Sequence, residues 1–413
     1  MFKKSNLCAI PRDLDSVTRL GAEEAPEAAG MSRAGRERIW SAVKAFYATG
    51  TQPCVTVALR RRGRLVLHRA IGHVSGNEPG AGGEDKVQAL PDTPVCLFSG
   101  SKAVTALLVH KLADLGLLHL DDRVADYIPE YGQHGKYRTT IRLLLAHRAG
   151  IPSVPGAEVD HRIVFRWDEA VRTLCAARPL RHGGDWQAYH AITGGFILGE
   201  LVRRVSGLSL HQALRQWLAE PLGCRHLSFG LPREHWAEAP PSVFTGPRVP
   251  WLVDRFCQRL VGAPFEETVR IANEEAFRGA VIPSGNIYAT ADEMARLFQM
   301  LLDGGEFEGR RLFQPGRVEE VVRPVGGRQF DGILLLPLRF SAGMMLGDSP
   351  VGLFGMHSRR AYGHIGLLHV VVWADPEREL SCAILCNGKT IAPSSFGRLL
   401  QLIGCVGRAC GKD

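Results

Sequence analysis

The chain has no run of about 18 apolar residues, the length a membrane-crossing helix needs. Its most apolar uncharged stretches, such as residues 103–109, stop well short of that, which argues against an integral membrane segment. Its ten cysteines, spread from Cys8 to Cys410, contain no CxxC pair. The nearest two, Cys382 and Cys386, lie at strand-like spacing in an apolar segment. Zinc sites use tighter pairs with histidines nearby, so free buried thiols in a reducing compartment are expected instead. Behind Lys3 and Lys4 there is no apolar signal core, because Asn6, Pro11, Arg12, Asp13 and Asp15 interrupt it, and a cytoplasmic protein is expected. No GxSxG surrounds any serine, and neither GxxxxGK[ST] nor a strand-placed GxGxxG occurs. The α/β-hydrolase elbow and the usual nucleotide cradles therefore have no support.

What is present is the composition of a soluble globular chain: 413 residues, 45% hydrophobic and 22% charged. The net charge is +8, but lysine is scarce: nine of the fifty basic residues are lysines, and the arginines are scattered among acids. The tight cluster Arg60, Arg61, Arg62 and Arg64 encloses Gly63 between two alternating β-branched segments, 55–59 and 65–68. That pattern predicts a hairpin with a solvated basic tip, and no nucleic-acid partner.

Residues 1–30 read as a tail, residues 31–405 as one domain and residues 406–413 as a second tail. In residues 32–47, Ile39, Trp40, Val43, Phe46 and Tyr47 recur at helical spacing. The nearly uncharged run 103–109 is apolar on all sides, which predicts a helix buried in the middle of the protein. Helical patterns dominate residues 105–303, strand patterns return at 367–374 and 380–386, and a closing helix is expected over 394–403. Strands at both ends with helices between them predict an α/β fold, an antiparallel sheet built from both termini with a mostly helical subdomain within 105–303.

Two serines stand three residues before a lysine, Ser41 with Lys44 and Ser99 with Lys102. The first pair lies on the amphipathic helix, where Lys44 can reach solvent. The second opens the buried helix, so both side chains face one way on its first turn. Burial there lowers a lysine pKa, because the ammonium loses its water while the amine loses little. A neutral amine beside a hydroxyl can accept its proton, and the helix N-terminus favours negative charge beside Ser99. Taken alone, the pair is read first as a capping serine with a snorkelling lysine. His147, His190, His357 and His369 are too irregularly spaced to suggest a metal site, and Glu158, Asp160, Glu266, Glu267, Glu274 and Glu275 read as solvated faces. Trp236, Phe244, Trp251, Phe256 and Phe265, in and near residues 240–275, can line an apolar pocket or belong to the subdomain core; the core is favoured.

Five landmarks, in order, resemble the serine beta-lactamase and penicillin-binding-protein-like family, especially its class C-related carboxylesterase branch. They are Phe98-Ser99-Gly100-Ser101-Lys102; Leu118 to Val124 with Leu143 to Ile151; Tyr189-His190-Ala191 running to Glu200; Ser284-Gly285-Asn286 running to Asp292; and Gly363-His364-Ile365-Gly366 with Asp375-Pro376-Glu377. The resemblance covers about residues 32–405. It implies Ser99 as the nucleophile of an acyl-enzyme, Lys102 as its activating partner, and Tyr189 as a phenol with its pKa lowered by the nearby ammonium. Which of the two is the base stays open. It further implies an oxyanion hole from the backbone N–H groups of Ser99 and Leu367, and contacts to substrate from His364, Gly366 and His190. Two departures bear on substrate. Ala191 replaces the asparagine of lactam-processing relatives, and His364 replaces a common lysine, which weakens the attraction for a substrate carboxylate.

The expected function is a serine hydrolase acting on small carboxylic esters, with no metal or organic cofactor. An acyltransferase using the same acyl-enzyme is the alternative. A beta-lactamase or D,D-peptidase and a non-catalytic scaffold rank lower. Oligomeric state is not indicated.

Overall fold

The computed structural model describes residues 6–81, 85–153 and 161–411. Lys3, Lys4, Glu158 and Asp160 lie outside the described residues. The central feature is an antiparallel sheet. Its strands are β1 (Thr18–Leu20), β2 (Cys54–Arg61), β3 (Arg64–Ser75), β4 (Met345–Leu346), β5 (Tyr362–Gly366), β6 (Val370–Asp375) and β7 (Leu380–Cys386). They lie in the order β1-β3-β2-β7-β6-β5-β4, with the short strand Val87–Gln88 also pairing β3. The sheet is thus closed by pairing β2, near the start of the chain, with β7, near its end: Val57 stands opposite Ile384 and Leu59 opposite Cys382.

Alternation along these strands assigns each residue to one of two cores. Val55, Val57, Leu59, Val371, Trp373 and Ile384 face one side. There they meet α1 (Arg33–Tyr47), whose first turn is capped by Ser32 accepting from the Gly35 N–H at 3.0 Å, and the C-terminal helix. Ala58, Val370, Val372, Ala383 and Leu385 face the other side, against the helical block. That block contains α2 (Ser101–Asp114), α3 (Thr193–Ser206) and α5 (Ala291–Leu302); α4 (Trp251–Val261) instead packs Leu260 and Val261 against the first core, and the last helix of the fold is α6 (Pro393–Ala409). Helix α2 is buried over nearly its whole circumference, as its all-round apolar sequence requires.

Three expectations need correction. Residues 6–30 are no loose tail: β1 pairs β3, Cys8 is buried, and both Glu23 carboxylate oxygens accept from buried Arg69 at 2.7 and 3.0 Å. A hydrogen-bonding sheet edge, together with an arginine needing a partner, recruits a segment whose composition alone looks nondescript. At the other end α6 continues past the expected stop at residue 403 to Ala409, because Val406 and Cys410 also reach the core. The hairpin forms where predicted, with Arg62 and Gly63 both at positive φ as a two-residue turn demands. Its basic tip is only half solvated. Arg60 is buried against Asp292, with Nη2 donating to Oδ1 at 2.8 Å, and Arg61 donates to the Gly30 carbonyl at 2.9 Å.

All ten cysteines are free thiols, seven of them buried. Among the described residues no helix is long and apolar enough to cross a membrane.

Candidate active site

Ser99 sits in a 3-10 turn, Phe98–Gly100, that runs directly into α2. The turn is reached through Phe98 at φ 47°, a left-handed conformation that a bulky side chain rarely adopts. What holds it is packing. The ring of Phe98 lies under the buried Lys389 ammonium group, 4.8 Å from Nζ to centroid, and Lys389 donates to the Cys386 carbonyl at 2.9 Å. From beneath, β5 presses on the same turn: a Cβ on Gly366 would stand 1.9 Å from the Leu97 carbonyl oxygen. Gly366 therefore serves the backbone approach of strand to turn. Beyond it the chain bends sharply, with Leu367 at φ 29° and Leu368 at φ 74°.

One turn on, Lys102 Nζ donates to Ser99 Oγ at 3.1 Å and to the Ser284 carbonyl at 3.0 Å. The carbonyl is held in place because Ser284 Oγ donates to the Ile192 carbonyl at 3.0 Å, and Ser101 Oγ accepts from the Ile287 N–H at 2.9 Å. Burial alone drives the Lys102 pKa well below its ordinary value. The other pair, Ser41 and Lys44, is surface architecture, with Lys44 bonded to Asp15.

Tyr189 completes the cluster. Its ring lies 4.9 Å from Lys102 Nζ, and Ser99 interacts with its phenol. Burial raises the phenol pKa, the reverse of the lowering expected from an adjacent ammonium. The reason is mutual: desolvation favours the neutral form of both groups, lowering the lysine pKa and raising that of the phenol. The backbone of Tyr189 is fixed by buried Asp331, whose Oδ1 accepts from the N–H groups of Tyr189, Ile333 and Leu334 at 3.1, 2.9 and 2.9 Å.

His190 and His364 stand behind this cluster. His190 Nδ1 bonds the Ala188 carbonyl at 2.6 Å while Nε2 accepts from the Ile151 N–H at 3.2 Å, so both ring nitrogens are engaged by backbone. His364 Nδ1 bonds the Ile365 carbonyl at 2.9 Å. Burial pushes the two pKa values down to about 4 and about 3. Neither ring reaches the large cavity onto which Ser99 opens, so the contacts to substrate expected of them are not made from there. His147 is the residue that sequence spacing underrated. Its ring packs 4.7 Å from that of Tyr189, its Nδ1 accepts from the His190 N–H at 3.2 Å, and with Lys102 and His190 it lines a separate void of about 20 Å³.

The large cavity, about 840 Å³, is lined by Ser99, Tyr189, Ala191 and Leu367, and by apolar side chains from α4, α6 and the loops between β4 and its neighbours. Phe256 and Phe265 line it, so part of the aromatic set assigned to the core forms cavity wall instead. Trp236 remains in a satellite core, Phe244 packs edge-on to Phe265, and Trp251 is exposed. Among the described residues one trio could hold a metal ion, His226, His235 and Glu238, whose ligand atoms lie within 4.8 Å of one another. It lines neither cavity, and its spacing in the sequence carried no signal.

Comparison with known proteins identifies the family. The beta-lactamase family model matches residues 39–401. The esterase/beta-lactamase LipL of Mycobacterium tuberculosis is 31% identical over 311 residues, which span 72% of this chain and 70% of LipL. Among solved structures, a penicillin-binding protein homologue from Caulobacter crescentus matches with a TM-score of 0.76 at 30% identity, covering 90% of this chain and 97% of its own. A family VIII carboxylesterase matches with a TM-score of 0.77 at 26% identity, covering 90% and 98%. The chain belongs to the beta-lactamase family and is a serine hydrolase of that family.

Proposed function

We propose that this enzyme cleaves carboxylic esters through an acyl-enzyme on Ser99, with Lys102 as the base. The observation that carries the reading is the Lys102 Nζ to Ser99 Oγ separation of 3.1 Å, made by an amine whose pKa burial drives well below its ordinary value. As Ser99 Oγ attacks the ester carbonyl carbon, its proton passes to Lys102 Nζ. The negative charge on the carbonyl oxygen is met by the backbone N–H groups of Ser99 and Leu367. Tyr189, which retains its proton, relays it to the departing alkoxide as the C–O bond breaks, and Lys102 restores the phenol. Water then attacks the acyl carbon, its proton returns through Lys102 to Ser99, and the carboxylic acid leaves.

An ester is favoured over a lactam because two positions where lactam-processing relatives carry groups for the substrate's carboxylate and amide carbonyl hold other residues here. His364 stays neutral, and Ala191 offers no amide. The names of the Mycobacterium relative and of the carboxylesterase structure support the same choice. His190, His364 and Asp331 act as positioning residues, holding Tyr189 and the strand behind it.

A fluorophosphonate probe followed by peptide mapping tests the reading. Label on Ser99, absent in Ser99→Ala together with ester turnover, is the expected result. A folded protein that takes no label at Ser99, or whose Ser99→Ala variant still turns over esters, refutes it.

A further inference from the structure

The space next to Ser99 is far larger than a small ester needs. A methylene fills roughly the volume of one liquid water, about 30 Å³. An acetyl group would then occupy less than a tenth of the 840 Å³ cavity, and a chain of about sixteen carbons a little over half of it. The walls carry apolar side chains from two helices: Val253, Phe256 and Leu260 from α4, and Leu399 and Ile403 from α6. The charged lining groups are already partnered. Arg328 pairs with Asp348 at 3.5 Å, and Arg339 donates to the Gly347 carbonyl at 2.7 Å. At the opening the lining becomes solvent-exposed yet stays aliphatic, with Leu336, Val351 and Leu400 at 51%, 64% and 63% exposure. A largely apolar lining that reaches from exposed aliphatic side chains to a nucleophile is a binding path for an apolar chain.

We propose that the ester cleaved by this enzyme carries a long aliphatic chain, of about ten carbons or more, laid in this cavity with its ester bond at Ser99. The inference rests on the acyl-enzyme reading above and names its substrate class. The chemistry is unchanged: ester and water give carboxylic acid and alcohol, and the chain leaves on whichever product bears it.

The test compares kcat/KM for nitrophenyl acetate, butanoate, octanoate and dodecanoate, kept below their aggregation limits, and for butyl and dodecyl acetate. Each fully buried methylene is worth up to about fourfold in binding, and a third of that per methylene gives roughly a 40-fold rise from butanoate to dodecanoate. A rise in the nitrophenyl series places the chain on the acyl side, and a rise in the acetate series places it on the alcohol side. Cys257→Trp, on α4 facing the cavity, lowers the ratio of long-chain to short-chain kcat/KM at least tenfold. Flat or falling values in both series, or an unchanged ratio in Cys257→Trp, overturn the proposal and leave the hydrolase reading standing. Absence of turnover at every length removes the hydrolase reading. Displacement of the fluorophore anilinonaphthalene sulfonate by dodecanol in Ser99→Ala then decides the cavity separately: displacement retains the chain site, and none removes it.

Discussion

Replacing Gly366 with alanine perturbs the nucleophile without touching it. The new Cβ would stand 1.9 Å from the Leu97 carbonyl oxygen, whereas ordinary contact begins near 3.4 Å. Strand β5 and the turn beneath Ser99 must therefore part by about 1.5 Å, and Ser99 lies only two residues from the atom that is pushed. The Lys102 to Ser99 separation of 3.1 Å has little room to absorb this before the hydrogen bond is lost. A misplacement of about 1 Å costs on the order of 100-fold in rate, so kcat/KM on a nitrophenyl ester falls by at least that much. Overpacking lowers stability by about 1–3 kcal/mol. Gly305→Ala is the control. Its Cβ meets the Phe313 carbonyl oxygen at 2.2 Å at φ +94°, so it also destabilises, but Gly305 lines neither cavity. Stability is read by urea denaturation and the nucleophile by its rate of fluorophosphonate labelling. A folded Gly366→Ala protein with unchanged kcat/KM, or an equal loss in Gly305→Ala, refutes the reasoning.

Because burial lowers the Lys102 pKa, kcat/KM should decline as the solution is acidified through that depressed pKa, while Tyr189, whose pKa burial raises, adds no alkaline decline below about pH 10; activity that grows toward acid contradicts the assignment of the base. Stability should also fall with acid. Unfolded histidine takes up a proton below about pH 6.5 while folded His190 resists until about 4, so the native state binds fewer protons in that window and His190 alone loses on the order of 3 kcal/mol across it. A denaturation midpoint that does not move between about pH 7.5 and about pH 5 contradicts this. Asp331→Ala strands three backbone N–H donors and costs about 3 kcal/mol or more, with a loss of kcat as Tyr189 shifts, whereas Asp331→Asn keeps an oxygen acceptor and recovers most of both. Equal stability of the two variants shows that the carboxylate is not the anchor.

Local elements were the most legible part of the molecule. The spacing of Ile39, Val43 and Phe46 marks α1 to within one residue, and the apolar run 380–386 coincides with β7. The meeting of Ser99 and Lys102 follows from helical geometry alone. The direction of the Tyr189 pKa did not, because it depends on how much water the whole cluster excludes, which no short window records. The same applies to Gly366, whose close neighbour Leu97 is 269 positions away in sequence, and to Phe256, a side chain equally suited to core or cavity wall. Strand β1 escaped notice because three residues, Thr18-Arg19-Leu20, carry no periodicity; their place is set by the free edge of β3.

The pairing of β2 with β7 has a consequence for biosynthesis. The hairpin of β2 and β3 emerges from the ribosome early, but the strand that covers its open side starts at residue 380. Throughout translation of the intervening helices, the edge of β2 presents unpaired amides and carbonyls next to a large apolar face. Such a late-closing, non-local topology folds slowly and is exposed to misassociation until synthesis is nearly complete. Nascent chains halted before β7 should therefore be chaperone clients and catalytically silent, and the enzyme switches on only when the last strand of its central sheet arrives.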